Sequence, residues 1–529
     1  MKERSVISKS AVDLFLQSER DDNSWMKWIT KKQATNELRS YGFSSKTTPF
    51  LHQQTSALLG IAYNNFTFHL DMGLGKTWII LNILAHRKQL EPPYRLTKTL
   101  VLVPNILNVL TWQDEVVKHS DLSILGVTGT SADDKWNELM EGGKSSTYDL
   151  VVMDYFAAQS LFSDKRKKSK GKGFELIPNV KTLSMASKLF PGIVCDEIHK
   201  AKNPESLRHR IVHQLTNKAT HRYGLTGTPF GRNPEDLWAE FHLIDRGETL
   251  GPSLTMFRQA FFKQKYNHFS YGNVEWVFDD KKRELLNHFL QHRSIAYTKE
   301  ECVSDIPTKS HIRVRVPLTA EQKKLLQALR NRIIAASTPA EKENAFVQAR
   351  QITAGVVYQK DDSDRRFAIR LSESPKLQEM LDRLQNLSPT EKVIIFYEFT
   401  ASGDLISDAL TAEKVNFVRI WSGEKDKLGK YQSFLQVGPK TPQVMVAQWQ
   451  MAESGINPQG VCRYIFYFES PVSPIPRAQT EARVYRMGQT RPVVLYDFCA
   501  ANSIDEKVLD YLQEGKSLFD SIIRGTEAI

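Results

Sequence analysis

Apolar positions along the chain come in short runs rich in β-branched residues, separated by stretches with helical spacing. TLVLVP (99–104), YDLVVMDY (148–155), GIVCDEIH (192–199) and HRYGLTGTP (221–229) form one set. KVIIFYEF (392–399), NFVRIW (416–421), QVMVAQ (443–448), RYIFYFES (463–470) and VVLYDF (493–498) form another. Near-continuous Val/Ile/Leu strands alternating with helices predict parallel sheets covered on both faces. Two such sets predict two α/β lobes. Between them, across residues 250–390, the pattern turns longer, helical and charged. In TAEQKKLLQALRNRIIAAS (319–337), Leu325, Leu326, Leu329, Ile333 and Ile334 make a helical stripe that reads as packing. SDKRKKSKGKG (163–173) is basic without apolar anchors, so it reads as a solvated loop, with a DNA contact as the alternative.

Within this pattern one stretch carries chemistry. In FHLDMGLGKT (68–77), Phe66, Phe68 and Leu70 alternate as in a strand, and Trp78, Ile79, Ile80, Ile83 and Leu84 then recur as in a helix. Gly73 and Gly75 thus fall in a strand-to-helix turn, where a backbone without Cβ can curl its N–H groups toward an anion. Lys76 adds a full charge and Thr77 a hydroxyl for Mg2+. Leu70 stands where the strict phosphate-loop pattern has its first glycine, so this stretch alone leaves a glycine-rich turn with a chance lysine as the other explanation. A phosphate loop also needs carboxylates. Asp196 follows an apolar strand, which puts it at the strand's carboxyl end as the Mg2+ ligand, and Glu197 is the adjacent candidate base. Thr226 and Thr228 follow another strand on a tight glycine turn, where their hydroxyls can report the state of a phosphate.

Composition narrows the class. The 529 residues suffice for two to four domains, and 71 Lys plus Arg against 60 Asp plus Glu leave a formal charge of +11, which suits a polyanionic partner. Cys195, Cys302, Cys462 and Cys499 are scattered, which argues against a zinc ribbon or a disulfide framework and for a reducing, intracellular compartment. No signal core opens the chain and no apolar run approaches the about 20 residues of a spanning helix, so the expectation is a soluble protein without a membrane partner.

Taken in order, the motifs resemble those of the SWI/SNF-type (sucrose-non-fermenting) ATPases of helicase superfamily two. FLHQQTSAL (50–58) is similar to their glutamine motif, DMGLGKT (71–77) to motif I, VLVPNILNVLTWQDEV (101–116) to motif Ia and DEIHKAKNPES (196–206) to motif II. LTGTPFGRNPEDLWAEFHLI (225–244) resembles motif III with its helical extension; KVIIFYEFTASGDLI (392–406), VMVAQWQMAESGIN (444–457) and QTEARVYRMGQTRPV (479–493) continue the series. Departures are Ile198 in motif II and, in motif V, Gln448-Trp449 and Ala452-Glu453, where only Gly455, Ile456 and Asn457 are kept.

The resemblance implies two RecA-like parallel-sheet lobes with helical insertions and an ATP site in the interlobe cleft. The expected division is a short extension 1–47, an ATP-binding lobe 48–300, a helical insertion and linker 301–373 and a second lobe 374–529. It also implies that Gln53 recognises adenine; that Met72, Gly73, Leu74, Gly75, Lys76 and Thr77 bind phosphate; that Thr77 and Asp196 hold Mg2+; and that Glu197 orients the attacking water. Gly455 is expected at the nucleotide, and Arg483 and Arg486 as arginine fingers. Pro104, Asn105, Tyr155 and Trp449 are expected to face DNA, with a core position the alternative for Trp449. The implied activity is an ATP-driven translocase on double-stranded DNA, working as a monomeric motor with a protein partner in repair, replication or transcription. Its expected location is the cytoplasm or nucleoid of a bacterium or virus-infected cell, or a nucleus. With no reader domain in the sequence, a compact bacterial or viral relative is expected. The alternatives are a strand-separating DNA or RNA helicase and a non-catalytic scaffold; the presence of Lys76, Asp196, Glu197, Arg483 and Arg486 argues against the latter.

Overall fold

The central strands of each sheet are buried on both faces because both faces are covered. In a computed structural model describing residues 9–18, 20, 29–167, 174–227, 234–266, 274–302, 307–334, 339–360, 366–452, 456–486 and 488–514, the chain divides into two units, Met1–Val303 and Ser304–Ile529. The strands of the first unit are β1 (Asn65–Leu70), β2 (Thr99–Val103), β3 (Ile124–Gly126), β4 (Leu150–Asp154), β5 (Ser163–Lys167), β6 (Phe174–Pro178), β7 (Gly192–Cys195), β8 (His221–Thr226), β9 (Phe262–Tyr266), β10 (Val274–Phe278) and β11 (Ser294–Tyr297). Seven of them form a sheet in the order β11-β1-β8-β7-β2-β4-β3, and every pairing is parallel.

Period-two side-chain geometry sorts each strand between two cores. Val101 and Val103 of β2 and Leu150 and Val152 of β4 enter one core with Phe66, Phe68 and Leu70. Their neighbours Leu100, Leu102, Val151 and Met153 enter the other with Ile193 and Cys195. The polar positions of β1 are buried as well: His69 stacks on Phe241 of the helix Pro234–Asp245 at 5.7 Å between ring centroids. Alternation in β1 therefore reflects two different coverings and not a wet face. Each fully buried Val, Leu or Phe contributes about 1.5–3 kcal/mol of hydrophobic stabilisation.

The second unit contains β12 (Lys309–Val316), β13 (Val356–Lys360), β14 (Arg366–Arg370), β15 (Lys392–Tyr397), β16 (Phe417–Ile420), β17 (Val444–Gln448), β18 (Cys462–Tyr467) and β19 (Val493–Ala500). Its sheet has the order β12-β19-β18-β15-β17-β16, again parallel throughout. Arg477 is buried beneath it, 3.6 Å from the Tyr467 ring centroid, paired with both carboxylate oxygens of Asp497 and, at 2.7 Å, with Glu481.

Two expectations change. The stretch 301–373 is more than a helical insertion, because β12 lies in it and pairs with β19 from Lys309 to Val316. It adds an edge strand to the second sheet, besides the helices Ala320–Ile334 and Pro339–Ala354 and the hairpin β13–β14. Nor is the basic run all loop: residues 163–167 are β5, paired antiparallel with β6, while 168–173 lie outside the described residues. No described helix is long and apolar enough to cross a membrane.

Candidate active site

The order β1-β8-β7 puts the turns after these three parallel strands side by side at one end of the first sheet. The turn after β1 runs through Gly73 (φ +87°) and Gly75 (φ +79°) into the helix Lys76–Gln89. Both glycines adopt the left-handed conformation that L side chains rarely enter. A Cβ on Gly75 would also lie 2.2 Å from Nε2 of Gln53, so that side chain would have to shift. Leu70, the missing first glycine, is the last residue of β1, fully buried. Its carbonyl accepts a hydrogen bond from Lys76 Nζ at 2.9 Å. That position is thus strand rather than loop, and glycine is not required there.

The helix Leu51–Ala62 clasps the same turn. Gln53 Nε2 donates to the Leu74 carbonyl at 3.3 Å, and the His52 Nε2 lies 2.9 Å from the same oxygen. Gln53 Oε1 accepts from the Phe50 N–H at 3.0 Å, so both ends of its amide are engaged within the protein. Burial holds the His52 imidazole below its ordinary pKa, which favours the neutral ring donating through Nε2. His52 was not singled out from sequence; its only signal is its place beside Gln53.

Asp196 directly follows β7 and is 8% exposed. Its backbone N–H donates to the Leu102 carbonyl at 2.8 Å. Oδ2 accepts from the Trp112 indole at 3.0 Å. Burial and the neighbouring Glu197 carboxylate push Asp196 above the usual carboxylate range, against the pull of the Trp112 hydrogen bond and the Lys76 charge. A cation beside it relieves that cost. Glu197 has φ +48°, a left-handed conformation for a non-glycine residue; such strain costs on the order of 1–3 kcal/mol and clusters at functional sites. Its Oε2 accepts from the Gly227 N–H at 3.4 Å and lies 3.3 Å from His199 Nδ1, which is 3.2 Å from Thr226 Oγ1. The carboxylates after β7 are therefore wired to the turn after β8. A Cβ on Gly227 would stand 3.2 Å from Lys76 Nζ, so that turn also approaches the phosphate-loop lysine. Asp196 and Thr77 offer an all-oxygen carboxylate and hydroxyl set, which suits Mg2+ that brings phosphate and water as its other ligands.

Tyr155 does not face outward as expected. It is 1% exposed and its hydroxyl donates to the Asp196 carbonyl at 3.0 Å. The strand β4 delivers it inward because the helix Tyr155–Leu161 starts there, capped by Asp154, and it is Phe156 that is exposed. Pro104 and Asn105 are half-buried at the end of β2, and Asn105 caps the helix Ile106–His119 by accepting from Leu107 and Asn108 N–H.

In the second unit the helix Pro474–Glu481 ends before Arg483 and Arg486, so the two do not share a helical face. Arg483 Nε donates to the Gln479 carbonyl at 3.2 Å, and Arg486 donates to Asn457 Oδ1. Asn457 is itself fixed by donating its N–H to Tyr431 Oη at 2.6 Å. Trp449 opens the helix Trp449–Ala452 and is half-buried; its indole nitrogen is enclosed without a hydrogen-bond partner among the described residues. Gly455, Glu453 and Thr228 lie outside the described residues.

Residues 23–365 match the family model for the SNF2-related domain. The chain belongs to the SNF2-related family of helicase-like ATPases. Among curated relatives, the CHD3-type chromatin-remodeling factor CHR7 of Arabidopsis thaliana is 22% identical, over 99% of this chain and 40% of that protein. Chromodomain-helicase-DNA-binding protein 1-like of Danio rerio is 24% identical, over 86% of this chain and 41% of that protein. The chain thus spans less than half the length of either SNF2-related relative. A solved SWI2/SNF2 ATPase core from Sulfolobus solfataricus in complex with dsDNA aligns over 91% of this chain and 94% of that one, at 21% identity and a TM-score of 0.38.

Proposed function

We propose that this chain is a DNA-stimulated ATPase that moves along duplex DNA and displaces what is bound to it. The observation that carries this is the convergence, in a member of the SNF2-related family, of the Gly73–Thr77 turn after β1 with Asp196 and Glu197 after β7, on either side of β8. In this reading the backbone N–H groups of Met72 to Thr77 receive the phosphates, and Lys76 exchanges its hold on the Leu70 carbonyl for a phosphate oxygen. Gln53 and His52 hold the turn open through Leu74, and Gln53 is the candidate for the adenine edge. Mg2+ arriving with ATP, held by Thr77 and Asp196, supplies charge neutralisation. Glu197 orients the attacking water and takes its proton, while its links to Gly227 and His199 tie that event to the turn after β8. By the family resemblance, Arg483 and Arg486 are assigned to the charge that develops on the transferred phosphoryl group, and Gly455 to the nucleotide.

A net charge of +11 supports a polyanionic track, and tracking by backbone phosphates implies weak sequence preference. Pro104, Asn105 and Trp449 are the candidate DNA-side positions. ATP turnover with and without duplex DNA tests this, together with displacement of a triplex strand. Duplex DNA should raise turnover several-fold, and Lys76→Ala should abolish it. Stimulation by single-stranded RNA in preference to duplex DNA overturns the translocase and favours a strand-separating helicase.

A further inference from the structure

We propose that Trp112 and Tyr155 are positioning residues that present one oxygen of Asp196 to the metal of the nucleotide. Asp196 is held at three points. Its N–H is tied to Leu102 of β2, its carbonyl accepts from the Tyr155 hydroxyl at 3.0 Å, and its Oδ2 accepts from the Trp112 indole at 3.0 Å. An indole N–H can only donate, so the direction of that bond is fixed, and Oδ2 is committed to it while Oδ1 stays uncommitted by Trp112. Trp112 is 1% exposed in the first core, on the same helix as Val109 and Val116, so close packing restrains its ring. The hydrogen bond therefore sets the carboxylate's torsion rather than adapting to it.

Tyr155 acts on the backbone. The carbonyl it holds belongs to the peptide that joins Asp196 to Glu197, the residue at φ +48°. Fixing that plane fixes the side from which both carboxylates leave the strand. Tyr155 is itself 1% exposed, with the Arg208 guanidinium 5.5 Å over its ring, so it too arrives preset. Partners of this kind behind a metal ligand typically change metal affinity by about 10–100-fold when removed.

The proposal rests on Asp196 as the Mg2+ ligand in the reading above, so the experiment separates the two. Binding of a fluorescent ATP analogue is titrated with Mg2+ and, in parallel, measured in EDTA, for wild type, Trp112→Phe, Tyr155→Phe and Asp196→Asn, with melting temperatures on the same preparations. Trp112→Phe should raise the Mg2+ concentration for half-maximal binding about ten-fold while leaving the EDTA affinity as in wild type. A purely structural role for Trp112 lowers the melting temperature without moving the Mg2+ midpoint. A folded Trp112→Phe with a wild-type midpoint, alongside an Asp196→Asn that has lost Mg2+ dependence, overturns the proposal and leaves the metal assignment standing. Asp196→Asn with wild-type Mg2+ dependence overturns the metal assignment itself. If Trp112→Phe does not fold, Tyr155→Phe decides: a raised midpoint supports the clamp, and an unchanged one refutes it.

Discussion

Gly75→Ala perturbs the nucleotide turn by a single methyl group, and its cost follows from two separate facts. Gly75 sits at φ +79°, which costs an L side chain about 1–2 kcal/mol. The new Cβ would also lie 2.2 Å from Gln53 Nε2. Gln53 has to swing away, losing its bond to the Leu74 carbonyl and its acceptance from the Phe50 N–H. At about 0.5–1.5 kcal/mol each, these bring the sum to about 2–5 kcal/mol. For a unit this large that is a fall of about 3–8 °C in its melting temperature. A double-mutant cycle with Gln53→Ala isolates the contact. The two bonds are lost once in the double variant but counted in each single one, so the double should cost about 1–3 kcal/mol less than the sum. Thermal unfolding of the four proteins measures this. Additive costs would refute the clash between residues 75 and 53, and a Gly75→Ala protein as stable as wild type would refute the strain as well.

Two further substitutions address chemistry and pH. Glu197→Gln keeps the shape and the left-handed backbone, so nucleotide binding and melting should stay near wild type while single-turnover hydrolysis slows by about 10²–10⁴-fold, the usual worth of a positioned base; normal turnover removes Glu197 from that role. Glu240, buried on the helix Pro234–Asp245, has its carboxyl pushed up to about 8 by burial, reinforced by Asp236. With the folded pKa above the unfolded one, the folded state keeps a proton that the unfolded state has lost, and stability falls as pH rises from about 4.5 to 8. Glu240→Gln removes that slope, so melting curves of variant and wild type should draw apart in the variant's favour between pH 5 and pH 8, and parallel pH profiles would count against a protonated Glu240.

How far this could be read from the chain depends on what each residue had to report. Strands buried on both faces announce themselves, because nearly every position is apolar: TLVLVP (99–104) and YDLVVMDY (148–155) contain β2 and β4, trimmed at their ends. Edge strands do not. In β12, KSHIRVRV, only Val314 and Val316 are buried, and the rest is exposed or half-exposed, so the run reads as linker although all eight residues pair with β19. In β5, SDKRK, no side chain is apolar at all, and only its antiparallel partner FELIP makes it a strand. Parallel topology then assembled the site for free. Once β1, β8 and β7 are neighbours, the turns that follow them share one edge, and Lys76, Gly227, Asp196 and Glu197 converge with no local signal of that convergence.

Side-chain direction was the part that spacing could not supply, and it reverses one assignment in a way that matters for mechanism. Tyr155 and Phe156 are adjacent at the start of one helix, both aromatic, one 1% and the other 70% exposed. Sequence alone offers no reason to prefer one as the surface residue. The choice is made by the Asp154 cap, which accepts from the N–H groups of Phe156 and Ala157 and so fixes the first turn. With that turn fixed, the Tyr155 hydroxyl meets the Asp196 carbonyl rather than solvent. The same holds for Trp112, whose indole reaches across from β2's helix to a carboxylate after β7 because β2 and β7 are direct neighbours in the sheet. Tyr155, which the resemblance placed toward DNA, and Trp112 are, by strand order, the supports of the site's central carboxylate. A change at either is therefore expected to act on nucleotide binding before it acts on any contact with DNA.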